Sequence, residues 1–194
     1  MKINMKKHTF LVAIVLIVAG FMSCQKGDSD TAFGYTNIYM PEATVTGGLN
    51  LNYLVPSGAG LPTYNFQIDS VNHKLNVILG VTRSGKASAD GYTVDVVVYA
   101  DTTNQQITNK AITNGVLLPA TMYTLPTKVM VPAGKNYASF YLSIDATAFK
   151  AAAYTGKNVA LTVGIANPSK YTLYNKYSKT VVIINNDAIL PKLK

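Results

Sequence analysis

The sequence predicts an all-β fold, an immunoglobulin-like β-sandwich of seven or more mainly antiparallel strands with one short helix. Three observations carry that expectation. From Tyr35 onward apolar residues recur at every second position, the period of a strand with one buried face. Tyr, Thr, Asn, Ser and Val are abundant while charged residues make up only 13% of the chain, a composition that suits pleated, half-buried surfaces. Turn signals follow one another at short intervals with no alternation of strand and helix patterns, which points to packed antiparallel sheets rather than a parallel α/β sheet.

The elements follow in order. Asn37-Ile38-Tyr39-Met40 reads as a short first strand stopped by Pro41. Residues 51–55 and 64–68 are weaker strand candidates on either side of a Pro/Gly/Ser loop. Leu75, Val77, Leu79 and Val81 then alternate with Asn76, Ile78, Gly80 and Thr82 along a longer strand. Arg83-Ser84-Gly85-Lys86 and Asp90-Gly91 supply turns. Tyr92, Val94, Val96 and Val98 form the next inward row, and Val97 and Tyr99 make that strand apolar on both faces, which places it centrally. Residues 101–118 are polar and irregular and read as a crossing loop.

Tyr123-Thr124-Leu125-Pro126 leads to a strand at 128–131. The following Pro132-Ala133-Gly134 suits a turn with proline in the second position and glycine in the fourth. Ala138, Phe140, Leu142 and Ile144 face inward on the next strand, with Ser139, Tyr141 and Ser143 outward. Asp145 can cap a short helix that runs through Phe149 and Tyr154 and is stopped by Gly156. Val159, Leu161, Val163 and Ile165 form a strand that ends at Asn167-Pro168, and Thr180, Val182 and Ile184 form the last.

Ahead of this domain, taken as 35–190, the chain changes character. Residues 1–23 read as an export leader: Lys2, Lys6 and Lys7, then an apolar run at 10–22, then the small Ser23. The run is shorter than the about 20 residues a membrane-spanning helix needs. Phe21-Met22-Ser23-Cys24 resembles a lipobox with phenylalanine where leucine is usual, so Cys24 is expected to be the first mature residue and to carry lipid. The alternative is a plain leader followed by a free thiol, an unusual group in an exported protein. An acyl chain contributes about 0.8 kcal/mol per buried CH₂, and stable anchoring takes more than one chain. Attachment to a membrane through Cys24 is therefore expected. Residues 24–34 are small and polar and read as a flexible tether. Asp28 and Asp30 resemble the acidic export signal of Bacteroidetes lipoproteins, which implies an outer-membrane lipoprotein exposed at the cell surface; a solvated linker is the bland alternative.

The charge balance excludes little but argues against nucleic acid. Losing Lys2, Lys6 and Lys7 with the leader lowers the net charge from +8 to +5, and the remaining basic residues are scattered rather than clustered on a stripe. No catalytic set, cofactor or metal site is expected. His73, the one histidine beyond the leader, sits beside Asn72 at a hairpin turn, so no second histidine is available for zinc. Glu42 is the only glutamate, and Asp69, Asp90, Asp95, Asp101, Asp145 and Asp187 lie far apart in sequence. A glycosidase would need two carboxylates about 5–9.5 Å apart.

The segments Leu118-Pro119, Tyr123-Thr124-Leu125-Pro126 and Val129-Met130-Val131-Pro132-Ala133-Gly134, followed by the strand from Phe140 to Ile144, resemble a domain of unknown function. It is the N-terminal domain of surface lipoproteins from Bacteroidetes polysaccharide-utilisation loci. Ile38-Tyr39-Met40-Pro41-Glu42-Ala43 resembles that family's opening strand and Thr82-Arg83-Ser84-Gly85 its first long turn. The resemblance implies an immunoglobulin-like sandwich on a lipid tether, linked to glycan uptake, and it supplies no catalytic residues. Many members carry a second, C-terminal module, whereas this sequence reads as a stand-alone domain.

One loop remains as a candidate ligand site. Asn167, Tyr171, Tyr174, Asn175 and Tyr177 fall within eleven consecutive residues, 167–177. Tyrosine faces can stack on the C–H side of a sugar while amides bond its hydroxyls. Equally, the rings can staple the loop to the sandwich edge. The expected function is a non-enzymatic surface lipoprotein that binds or scaffolds, with a glycan as ligand. The alternative is an adhesin-like or structural subunit that packs onto another surface protein.

Overall fold

The cleanest alternation in the sequence becomes the longest strand of the computed structural model, which describes residues 36–44, 49–57, 65–86 and 88–193. The leader, Cys24 and the tether lie outside the described residues. The strands are β1 (Asn37–Tyr39), β2 (Asn50–Val55), β3 (Phe66–Asp69), β4 (Lys74–Arg83), β5 (Tyr92–Val98), β6 (Gly115–Leu117), β7 (Tyr123–Thr124), β8 (Lys128–Val131), β9 (Tyr137–Asp145), β10 (Asn158–Ala166), β11 (Thr172–Leu173) and β12 (Lys179–Asn185). They form two packed sheets, an all-β sandwich with mainly antiparallel pairing.

In the first sheet the order is β11-β1-β4-β9-β7. Leu75, Val77, Leu79 and Val81 of β4 are fully buried, as are Leu142 and Ile144 of β9, which pair in register with Val77 and Leu75. In the second sheet the order is β2-β12-β10-β5-β8. Val159, Val163, Ile165 and Val182 complete the same core from that side. Burying side chains of this size contributes about 1.5–3 kcal/mol each, so the inward rows are the main source of the sandwich's stability. Ile189 and Leu193, just after β12, also close onto this core.

Each sheet has a shared edge with a gap in it. β9 takes one edge of β4, while β3 and β1 divide the other: β3 pairs with Lys74 to Val77 and β1 with Thr82 and Arg83. In the second sheet β12 takes one edge of β10, while β6 pairs with Asn158 to Ala160 and β5 with Val163 to Ala166. Unpaired backbone groups in such a gap must find other partners. At the second gap Thr162 is satisfied from outside the sheet. Its N–H donates to Thr103 Oγ1 (2.8 Å), its carbonyl accepts from Tyr99 N–H (2.9 Å), and the two threonine hydroxyls meet at 2.9 Å.

Thr103 lies on α1 (Ala100–Thr108), which corrects the reading of residues 101–118 as a crossing loop. That stretch holds α1 and then β6. Its Asp-Thr-Thr-Asn-Gln-Gln sequence has weak helix propensity, and Tyr99 at its N-cap makes no side-chain cap. The helix is held by tertiary contacts instead. Thr103 is fully buried against β10, and Ile107 packs on a second, smaller apolar cluster of Ile112, Ala160, Val181 and Ile183 on the outer face of the second sheet.

The single short helix expected from Asp145 through Tyr154 is two pieces: α2 (Ala146–Phe149) and, after an extended Ala151, a separate 3₁₀ turn at Ala152–Tyr154. Asp145 caps α2 by accepting from Thr147 N–H (2.8 Å) and Ala148 N–H (3.1 Å), and Gly156 follows the 3₁₀ turn with φ +70°. α3 (Asn186–Ile189) is capped by Asn185. The turn after β8 is shifted by one residue from its expected register. Lys135 N–H donates to the Pro132 carbonyl (3.1 Å), so Gly134 stands third, not fourth, with φ +74°. That position of a type II turn demands positive φ, which is why glycine is there.

Candidate functional site

The loop between β10 and β12 starts by tying itself to β5. Asn167 adopts φ +46° and donates to Asp95 Oδ2 (3.0 Å). Lys128 pairs with the other oxygen of Asp95 at 2.7 Å, and these two partners hold that carboxyl below the ordinary carboxylate range. Ser169 exchanges hydrogen bonds with Thr93, its N–H to the Thr93 carbonyl (2.8 Å) and the Thr93 N–H to its Oγ (2.9 Å). Lys170 reaches Asp90 at 3.2 Å on the surface.

The three tyrosines of the loop then diverge. Tyr171, at φ +69°, turns its ring inward: it meets Tyr92 edge-on at 5.6 Å and lies under the Arg83 guanidinium at 4.9 Å. Arg83 is only 4% exposed and bonds to Asn136 Oδ1 (2.9 Å) and the Lys86 carbonyl. Burial pushes the Tyr92 hydroxyl up to about 12, with Arg83 opposing the shift. Tyr177 is half-buried against the core, with Lys176 5.6 Å from its ring centroid. Tyr174 stands 5.0 Å from Tyr177, edge-on, and is 39% exposed; its N–H bonds back to the Ile38 carbonyl (2.8 Å), and Asn175 beside it is exposed. The loop therefore brings Tyr174, Asn175 and Tyr177 together. It sends Tyr171 into the end of the sandwich and commits Asn167 to Asp95.

A second feature lies at the gap in the first sheet. There the Tyr53 hydroxyl donates to the Ile78 carbonyl, and Asn65 accepts from Ile78 N–H (2.9 Å). Glu42, in the 3₁₀ turn after β1, places its carboxyl against Gly80, with Oε2 buried and without a hydrogen-bond partner among the described residues. Burial raises this carboxyl from 4.5 to about 7; hydrogen bonds from its own backbone N–H and that of Gly80 oppose the rise. Tyr137 from β9 lies over Gly80 so closely that a Cβ there would sit 2.4 Å from its ring. The sequence marks Glu42 only as the sole glutamate; its burial depends on strands β2, β4 and β9 meeting around it.

The other titratable groups are spread out. His73 sits at the β3–β4 turn with φ +50°, exposed, beside an Asp69 carboxyl that caps the turn through the side chain and backbone of Asn72 and the Val71 N–H. Among the described residues no three His, Cys, Asp or Glu side chains group in a way that could hold a metal ion.

A family model described as "-like, N-terminal domain" matches residues 35–172. No curated protein matches the chain. Two solved structures of unknown function from Bacteroides ovatus are similar, at 16% and 12% identity, both with a TM-score of 0.50. Each aligns over 78% of this chain and over 46% and 52% of its own length respectively. An auxiliary nutrient binding protein from Bacteroides thetaiotaomicron is 24% identical over 57% of this chain and 36% of its own, with a TM-score of 0.43. This chain thus spans about half or less of the length of these proteins, and what it has in common with the first two is the fold.

Proposed function

We infer, because this chain belongs to the "-like, N-terminal domain" family, that it is a non-enzymatic recognition domain. It is held at the outer face of the outer membrane by lipid on Cys24, and its ligand is a glycan. The tether is supported by the basic, apolar and small-residue pattern of 1–23 that ends at Cys24. One observation carries the glycan reading. Tyr137, Tyr141 and Tyr174 stand among the exposed large side chains, at 46%, 39% and 39% exposure, each offering an apolar face and a hydroxyl to solvent.

Two experiments test the two halves. Cells grown with labelled palmitate should incorporate label into the protein, and Cys24→Ala should abolish it and release the protein in soluble form. The protein from residue 24 onward should be retarded in gels cast with at least one polysaccharide. Free migration through every polysaccharide tried would overturn the glycan reading.

A second reading rests on the sheet edges. Met130 on edge strand β8 is 65% exposed and Leu54 on edge strand β2 is 49% exposed, so both edge strands of the second sheet present apolar side chains. Capture of a stoichiometric surface protein, with no retention on sugar, would favour this reading.

A further inference from the structure

Strand register lines up a row of polar side chains across the outer face of the first sheet. Register places Gln67 of β3 beside Asn76 of β4, Asn76 beside Ser143 of β9, and Ser143 beside Thr124 of β7. The result is one rung of two amides and two hydroxyls across four strands, about 14 Å long at ordinary strand spacing. Residues 67, 76, 143 and 124 all lie on the face opposite the buried rows, since Leu75, Val77, Leu142 and Ile144 point into the core. The next rung holds Tyr141 opposite Ile78, and two rungs further Tyr137 lies opposite Thr82 and folds over Gly80. Gly80 matters here because any Cβ would displace the Tyr137 ring.

At the sheet edge a groove of about 400 Å³ is lined by Thr124, Leu125, Pro126, Phe140, Tyr141 and Ser143. Its lining contains no charged residue. One rung beyond the amide row, Asp69, Lys74 and Asp145 lie side by side in register on β3, β4 and β9, the lysine between the two acids. Unlike Tyr171, which spends its ring on Arg83 and Tyr92, Tyr141 is exposed beside this open groove.

Amides and hydroxyls that offer donors and acceptors, next to exposed tyrosine rings and a groove whose lining carries no charge, match the chemistry of a neutral sugar chain. We propose that the β3–β4–β9–β7 face, centred on Tyr141 and its groove, binds a neutral oligosaccharide segment. This rests on the glycan reading above and names the surface and the ligand class for it.

The test is affinity electrophoresis of the protein in gels containing starch, xylan, galactomannan or, as an acidic comparison, polygalacturonate. A neutral polysaccharide should retard the wild-type protein. Tyr141→Ala should weaken that retention tenfold or more, and Ser139→Arg, which puts a long cation between the two tyrosines at an exposed position, should do the same. Met130→Ala, on the other sheet, should leave retention unchanged. Retention that survives both changes on β9, or that is lost only with Tyr174→Ala, overturns this surface and leaves the glycan reading standing. Retention by polygalacturonate alone overturns the neutral class. No retention of the wild type by any of the four overturns the glycan reading and the surface with it.

Discussion

The guanidinium carbon of Arg83 lies 4.9 Å from the centroid of the Tyr171 ring, joining the end of β4 to the loop that precedes β12. Arg83 occupies the inward parity of β4, one step beyond Val81, so the last position of the apolar row is a cation. Its Nη2 is satisfied by Asn136 and Lys86, but its Nε has no partner among the described residues. The tyrosine face is the remaining source of stabilisation, and a desolvated cation–π contact contributes about 2 kcal/mol. Tyr171→Ala should therefore destabilise the domain by about 2–3 kcal/mol in urea titration, whereas Tyr171→Phe, which keeps the ring, should stay within about 0.5 kcal/mol of wild type. Equal effects of the two changes would show that the ring is not what holds the loop.

Thr103 tests the gap in the second sheet. Thr103→Val keeps the shape but removes the acceptor of Thr162 N–H, leaving a fully buried backbone donor unpaired. The expected cost is about 1–3 kcal/mol, with faster amide exchange at Thr162. Thr103→Ser retains the hydroxyl and should recover most of both. If Val and Ser behave alike, the helix is held by its apolar contacts alone.

Glu42 sets a pH dependence of the opposite sign to ordinary acid unfolding. Burial raises its carboxyl from 4.5 to about 7, so the folded protein keeps a proton that the unfolded chain releases. Its favourable contribution is complete below pH 4.5 and falls away as the pH rises to about 7. The loss is about 3 kcal/mol for a shift of this size. Glu42→Gln should flatten that decline: the variant should gain stability over wild type at pH 8 and match it near pH 4.5, read as urea midpoints. Asp69, Asp95 and Asp145, all held low by their hydrogen-bond partners, lose their contribution only at lower pH. A wild-type midpoint that does not move between pH 4.5 and 8 would overturn the assignment to Glu42.

Legibility in the sequence followed locality. β4, β9, β10 and β12 could be read directly because alternation of apolar side chains is a property of consecutive residues. Asp145 could be read as a cap because its partners, Thr147 and Ala148, are two and three residues away. The helix at Ala100–Thr108 could not, since its own polar sequence has weak helix propensity and it is held by Thr162 on β10 and by the apolar cluster beneath Ile107. The tyrosine-rich loop was visible as a composition, but which of its rings stays in solvent was not.

By itself, then, the sequence determined the class of fold, the inward rows of the core and the turns, because each depends on a short stretch of chain. The tertiary structure decided the rest. Tyr171 became a packing residue because Arg83 and Tyr92 arrive beneath it. Glu42 became a buried acid because β3 and β1 leave a space along β4. Gln67, Asn76, Ser143 and Thr124 became one polar rung because the registers of four strands coincide. Strand register is settled by non-local burial across both sheets, so the neighbours it brings together leave no mark on the local pattern of any one strand.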